Sequence, residues 1–380
     1  MNTRLVSWFM LPGLLLLAGC PGGGGEGGFE AAGDSDRIYV TNRVSDDVSS
    51  YTINTATGGL TTLAGSPFSG AGVTSPSAIA VSPNGSFVYV VNQGGANTVS
   101  AFSTQSTAGT PTAVAGSPFV AGTNPSAATV SPNGSFLYVT NHGAGTISGY
   151  LITTGSGALT PISGSPFVAG NAPIAVAATP NNAFLYTANE NSNDISAYGI
   201  NGTTGALTAL AGSPFSTGGA TTTGLAVSPN GTLLFVANSG GSGTLSVFTI
   251  NGTTGALTPV TGSPFAAGTD VKGSPVISPN GSFLYVANGA NNNVIGFTIN
   301  GSTGALSAMA GSPFAAGSTP IGVTVDRTGQ YLYAANSGSA NVSAYTISSG
   351  TGALTPVNGA LGNPFTAGTG PSGIVTSGQP

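Results

Sequence analysis

"FLYVTNHGAGTISGY", residues 136–150, is one copy of a unit that runs through the whole chain. Its first six residues recur as RIYVTN (37–42), FVYVVN (87–92), FLYTAN (184–189), LLFVAN (233–238), FLYVAN (283–288) and YLYAAN (331–336). The closing asparagines are Asn42, Asn92, Asn141, Asn189, Asn238, Asn288 and Asn336, separated by 50, 49, 48, 49, 50 and 48 residues. A nearly fixed period of this length marks a repeat architecture.

Three further elements keep step. An apolar run and a turn precede most copies, as in PSAIAVSPNG (76–85), PSAATVSPNG (125–134) and LAVSPNG (225–231). An alternating stretch follows, such as NTVSAF (97–102), TISGY (146–150) or NVSAY (341–345). Gly-Ser-Pro-Phe closes the unit at 65–68, 116–119, 164–167, 212–215, 262–265 and 311–314, and Gly362-Asn363-Pro364-Phe365 replaces it in the last. Each unit therefore holds four short strands, A to D in chain order. Proline presets φ and glycine tolerates positive φ, so Ser-Pro-Asn-Gly makes a tight A–B turn. Strand B is apolar almost throughout, as befits a strand covered on both faces. One four-stranded sheet cannot cover both of its faces, but seven around an axis can. The pattern predicts an all-β, seven-bladed β-propeller.

Closure gives an independent check. The first unit lacks a strand A, because Asp34-Ser35-Asp36 leads straight into strand B at Arg37. Pro371-Ser372-Gly373-Ile374-Val375-Thr376 supplies a spare one, which is expected to pair into the first blade and close the ring.

Composition fits this reading and excludes others. The chain has 62 glycines and only 4% charged residues, against about 25% in an average domain. Its net charge is −5, so it cannot neutralise a phosphate backbone, and nucleic acid is excluded as a partner. After residue 20 no apolar run reaches the ~18 residues of a membrane span.

Residues 1–20, MNTRLVSWFMLPGLLLLAGC, read as an export signal, with Arg4 before an apolar region. Its end, Leu17-Ala18-Gly19-Cys20, resembles the bacterial lipobox, which implies lipid attachment at Cys20. PGGGGEGG (21–28) opens a flexible tether over 21–33, and 34–380 is expected to form a single propeller domain. The expectation is an exported monomer at the bacterial cell envelope, touching a membrane through its lipid anchor only.

Tyr39-Val40-Thr41-Asn42 and Tyr138-Val139-Thr140-Asn141 spell YVTN. With the Ser-Pro-Asn-Gly turns, residues 37–377 resemble the YVTN-repeat propellers and the related seven-bladed lactonase-like propellers. That group includes 6-phosphogluconolactonases and lactonising enzymes alongside many repeat proteins without assigned chemistry. The resemblance implies the fold, and it implies charged and histidine side chains around a central channel where the members are enzymes.

A residue present in every blade serves the blade. The Tyr or Phe of strand B, such as Tyr89 and Phe235, is expected in the core between blades, and Phe119 of Gly-Ser-Pro-Phe is expected as a packing anchor. The repeated asparagine is expected to bond loop backbone. Function should sit where the blades differ. Directly after that asparagine stand Arg43, Gln93, His142, Glu190, Ser239, Gly289 and Ser337. Blades 1 to 4 thus present long polar side chains at one level, and blades 5 to 7 present small ones. Arg43, Gln93, His142 and Glu190 are the candidate ligand-binding residues. His142 is the only histidine of the chain.

Other charged positions, Asp46-Asp47, Asp194, Asp270, Lys272 and Asp326-Arg327, read as turn or surface variants. One histidine and one cysteine cannot make a His/Cys zinc site, and neither a metal nor a cofactor is expected. Near-identical blades and scarce reactive groups favour a non-catalytic binding or scaffold module for a protein, glycan or small-molecule ligand. One alternative is a lactonase-like hydrolase with His142 or Glu190 as base and Arg43 as electrostatic partner. The other is a purely structural surface protein.

Overall fold

The structure is a computed structural model that describes residues 36–105, 110–357 and 363–377. The expected signal segment, Cys20 and the tether lie outside the described residues. Seven antiparallel sheets follow one another, each with strands in the order A–B–C–D. In the third, strand A is Pro125–Val130, B is Phe136–Asn141, C is Thr146–Ile152 and D is Leu159–Pro161.

The first blade takes its inner strand from the far end of the chain. Pro371–Thr376 pairs antiparallel with Arg37–Asn42, with Ile38 opposite Thr376 and Val40 opposite Ile374. The Arg37 amide donates to Ser377 Oγ at 2.9 Å. The Ser377 amide donates back to the Arg37 carbonyl at 2.8 Å.

The core falls into seven clusters, one for each pair of neighbouring blades. The cluster joining blade 7 to blade 1, with Tyr333, Val342, Ile38 and Val40, has the same make-up as the others. Strand B supplies the largest share of each, and Tyr89, Tyr138, Tyr186, Tyr285 and Tyr333 are fully buried there. Their hydroxyls do more than fill space. Tyr138 Oη donates to the Gly205 carbonyl of the next blade at 2.8 Å, and Tyr186 Oη does the same to Gly255. Tyr333 Oη reaches Gly58 of blade 1 at 3.0 Å, which stitches last to first. The receiving glycines have positive φ, and at Gly205 a Cβ would lie 2.5 Å from Phe136. Only glycine fits there.

The outer strand differs from expectation. It breaks after two or three residues, and the Phe of Gly-Ser-Pro-Phe, or of Gly-Asn-Pro-Phe in blade 7, starts a second two-residue strand on the same edge of strand C in blades 2 to 7. In blade 3 those pieces are Leu159–Pro161 and Phe167–Val168. In each break the peptide before proline is cis. The break strands one strand-C amide, and the serine hydroxyl accepts it: Ser165 Oγ takes Gly149 N at 2.9 Å. Asn363 fills this role in the seventh blade, with its Oδ1 accepting Ala344 N at 3.1 Å. The phenylalanine anchors as expected, packed against the core clusters.

Candidate functional site

Seven equivalent backbone bonds mount the ring of variable residues. The amides of Arg43, Gln93, His142, Glu190, Ser239, Gly289 and Ser337 each donate to the residue preceding strand A of their own blade, at 2.8–3.2 Å. Those acceptors, from Ser75 and Asn124 to Thr319 and Gly370, all have positive φ. The seven positions therefore sit at one level on the face formed by the B–C and D–A loops.

The repeated asparagine is buried behind this ring and braces it, but mainly through side chains rather than loop backbone. Asn141 Nδ2 donates to Thr146 Oγ1 and Ser148 Oγ of strand C, both at 3.0 Å. Its Oδ1 does accept one loop amide, Gly122 N. A buried amide prefers any fixed partner, and the strand-C hydroxyls are the nearest.

The four polar residues form two pairs. His142 Nε2 lies 2.9 Å from Glu190 Oε2, and the two side chains are 27% and 31% exposed. Arg43 Nη2 bonds Gln93 Oε1, and Arg43 Nε donates to Ser75 Oγ at 3.2 Å. No hydrogen bond joins one pair to the other among the described residues. Arg43 thus meets only neutral partners, whereas Arg327 faces Asp36 at 2.8 Å and Lys272 faces Asp270 at 2.7 Å.

The expectation that blades 5 to 7 offer only small residues needs correction. Gly289 is the ring residue of blade 6, and the Lys272–Asp270 pair stands against it. A Cβ at Gly289 would lie 3.0 Å from Asp270 Oδ2 and 3.2 Å from Lys272 Cγ. Blade 6 thus presents a charged pair drawn from its D–A loop and inner strand. Scanning only the post-asparagine column hides it.

The remaining charged positions are turn parts, as expected. Asp46 Oδ1 accepts Ser75 N, and Asn97, Asn193 and Asn292 make the same loop-to-loop bond in later blades. Asp47 and Asp194 receive the repeated asparagine of their own blades. Asp326 Oδ1 accepts Tyr331 N at 2.7 Å, as Ser82 Oγ accepts Phe87 N in blade 2.

A separate cavity of about 420 Å³ opens along the axis toward the A–B turns. Ile79, Val130, Val176, Leu225 and Val325 line it, and Asp326 is its only charged wall residue. That carboxylate is occupied by Thr328 and Tyr331. The other polar lining is hydroxyls such as Thr129, Ser228 and Ser274, with no histidine, lysine or arginine among the lining residues. Among the described residues no three His, Cys, Asp or Glu side chains cluster to hold a metal ion.

The fold has many relatives among solved structures. A provisional 6-phosphogluconolactonase from Bacteroides fragilis is 21% identical, with 93% of this chain and 99% of that one covered at a TM-score of 0.75. Another from Bacteroides uniformis is 19% identical, with 90% and 99% covered at 0.75. The periplasmic gluconolactonase PpgL of Pseudomonas aeruginosa is 18% identical, with 91% and 100% covered at 0.74. Among curated proteins, no sequence matches. The sequence itself matches the family described as "Lactonase, 7-bladed beta-propeller" over residues 25–121, 112–222 and 267–366. The chain belongs to the seven-bladed β-propeller lactonase family.

Proposed function

We propose that this protein is a lactone hydrolase whose reaction takes place on the B–C/D–A loop face. The observation that carries it is the 2.9 Å contact between His142 Nε2 and Glu190 Oε2 on the face that also carries Arg43. With its proton on Nε2, His142 donates to the Glu190 carboxylate and keeps the Nδ1 lone pair as a general base. Glu190 fixes that tautomer and stabilises the imidazolium that forms.

The base takes a proton from water as the water oxygen attacks the lactone carbonyl. Negative charge grows on the carbonyl oxygen, and the Arg43 guanidinium is the cation available to hold it. The ring C–O bond then breaks, and the imidazolium returns the proton to the departing alkoxide. The product is the open hydroxy acid, and the enzyme is regenerated. Arg43 is the one cation of this face without an acidic partner among the described residues. A single free cation suits a neutral sugar-type lactone better than a phosphorylated one.

A merely binding or scaffolding role, the leading expectation from composition, gains less support. That expectation rested on scarce reactive groups, and the ones present pair up at one mouth. The test is a pH-stat assay of purified residues 34–380 against sugar and aliphatic lactones. Hydrolysis no faster than in buffer would overturn the hydrolase reading.

We also propose that the protein is exported and lipid-anchored at Cys20. Radiolabelled fatty acid should enter the wild type and not Cys20→Ser, and equal labelling would refute it.

A further inference from the structure

One blade breaks the repeat at the place that borders the axis. In blades 1 to 5 and 7 the inner strand skips its second residue: Asn141 faces Pro125 and Thr140 faces Ala127. The residue paired at that second rung is always small, namely Ala78, Ala127, Ala175, Gly224, Gly322 or Gly373. In blade 6 it is Lys272, opposite Ala287.

The cause is a displaced bulge. The inner strand of blade 6, Val271–Ile277, is one residue longer than those of the other blades. Its pairing jumps from Lys272 to Val276, so Gly273, Ser274 and Pro275 bulge one rung later. Neighbours make room at close range. A Cβ at Gly224 would lie 2.3 Å from the Gly273 carbonyl oxygen, and one at Gly273 would lie 2.6 Å from that of Ile321. Bulges re-aim side chains and recur beside active sites. The bare Gly289 leaves space for Lys272 and Asp270 at the ring level.

The pair is 39% and 35% exposed, so its attraction adds at most ~1 kcal/mol to stability. The ion pair itself is therefore a weak structural brace. In a ring of seven, blade 6 lies across the axis from blades 2 and 3, which carry Gln93 and His142. An ammonium and a carboxylate 2.7 Å apart offer donors beside an acceptor, the complement of neighbouring hydroxyl groups.

We propose that Lys272, partnered by Asp270, is a positioning residue that grips the hydroxyl groups of a polyhydroxylated lactone whose carbonyl lies at His142 and Arg43. The proposal rests on the hydrolase reading for its substrate. The pair gives the site preference for sugar lactones over plain ones, because a plain ring leaves both charged groups without a partner.

The experiment compares wild type, Lys272→Met and Gly289→Ala. The latter keeps both charges and displaces the pair. Hydrolysis of glucono-δ-lactone and δ-valerolactone is measured, with calorimetric binding of the unreactive gluconolactam. For Lys272→Met, kcat/KM on the sugar lactone should fall about tenfold or more, mainly through KM, with valerolactone unchanged. Gluconolactam binding should weaken in parallel, and Gly289→Ala should act in the same direction. An unchanged sugar-to-plain ratio with unchanged lactam binding overturns the proposal. If the wild type hydrolyses neither lactone yet binds the lactam through Lys272, the hydrolase reading fails and this inference stands. If it neither hydrolyses nor binds, both fall.

Discussion

His142 and Glu190 are 48 residues apart in the chain and 2.9 Å apart at Nε2 and Oε2. The repeat period makes this contact, because each residue is the first after strand B in adjoining blades. Each backbone is pinned alike, His142 N to the Asn124 carbonyl and Glu190 N to that of Ala172. The pair is thus two side chains on two rigid, equivalent mounts.

If the pair acts as one unit, its losses will not add. His142→Ala should lower kcat/KM on a sugar lactone by about 100-fold or more, and Glu190→Ala by about 10- to 100-fold. The double variant should be little worse than His142→Ala alone. Losses that multiply would show that the two groups act separately.

The ring closes through strand pairing and through Tyr333. Tyr333→Phe removes the bond to the Gly58 carbonyl and should cost about 1 kcal/mol in urea unfolding. Blade 5 already carries the phenylalanine, Phe235, at this position, so the change is tolerable. Gly58→Ala should cost more, because φ is +72° and a Cβ would lie 2.3 Å from the Tyr331 ring. Deleting residues 371–380 should abolish cooperative unfolding, and an unchanged transition would deny the closure.

Burial pushes the hydroxyls of Tyr150 and Tyr198 up to about 12, and those of Tyr89, Tyr138, Tyr186, Tyr285 and Tyr333 further. In the unfolded chain they ionise near pH 10. The folded state holds the proton more tightly, so this stability is complete below pH 10 and is lost as pH rises through 12 and beyond. Phenolate absorbance at 295 nm should therefore rise together with loss of β-sheet circular dichroism. Titration near pH 10 with the fold intact would refute it.

Asn363 replaces the serine of the other breaks and bonds more. Its Nδ2 donates to the carbonyls of Ala344 and Val357, both at 3.0 Å, beside the amide its Oδ1 accepts. Asn363→Ala should destabilise by about 1–3 kcal/mol, with Asn363→Ser recovering part of it. Equal midpoints for all three proteins would show the bonds to be idle.

The blade count and the closing strand were legible because they follow from the period and from the strand A missing in the first unit. Two features were not. The split outer strand depends on whether the serine of Gly-Ser-Pro-Phe can satisfy an amide left by the break, which spacing does not reveal. The Lys272–Asp270 pair was hidden because a shifted bulge carries an inner-strand residue to a level read from the strand-B column. Asp270 and Lys272 stand out in so uncharged a chain, but their place before the blade 6 strand B reads only as a turn variant.

The decisive measurement is the initial rate of glucono-δ-lactone hydrolysis at neutral pH by residues 34–380 and by the same body carrying His142→Ala. The wild type should open the lactone far faster than buffer, and the substitution should remove about 99% or more of that acceleration. Equal rates for the two proteins, or a wild-type rate no greater than spontaneous opening, would contradict a hydrolytic site at His142 and Glu190.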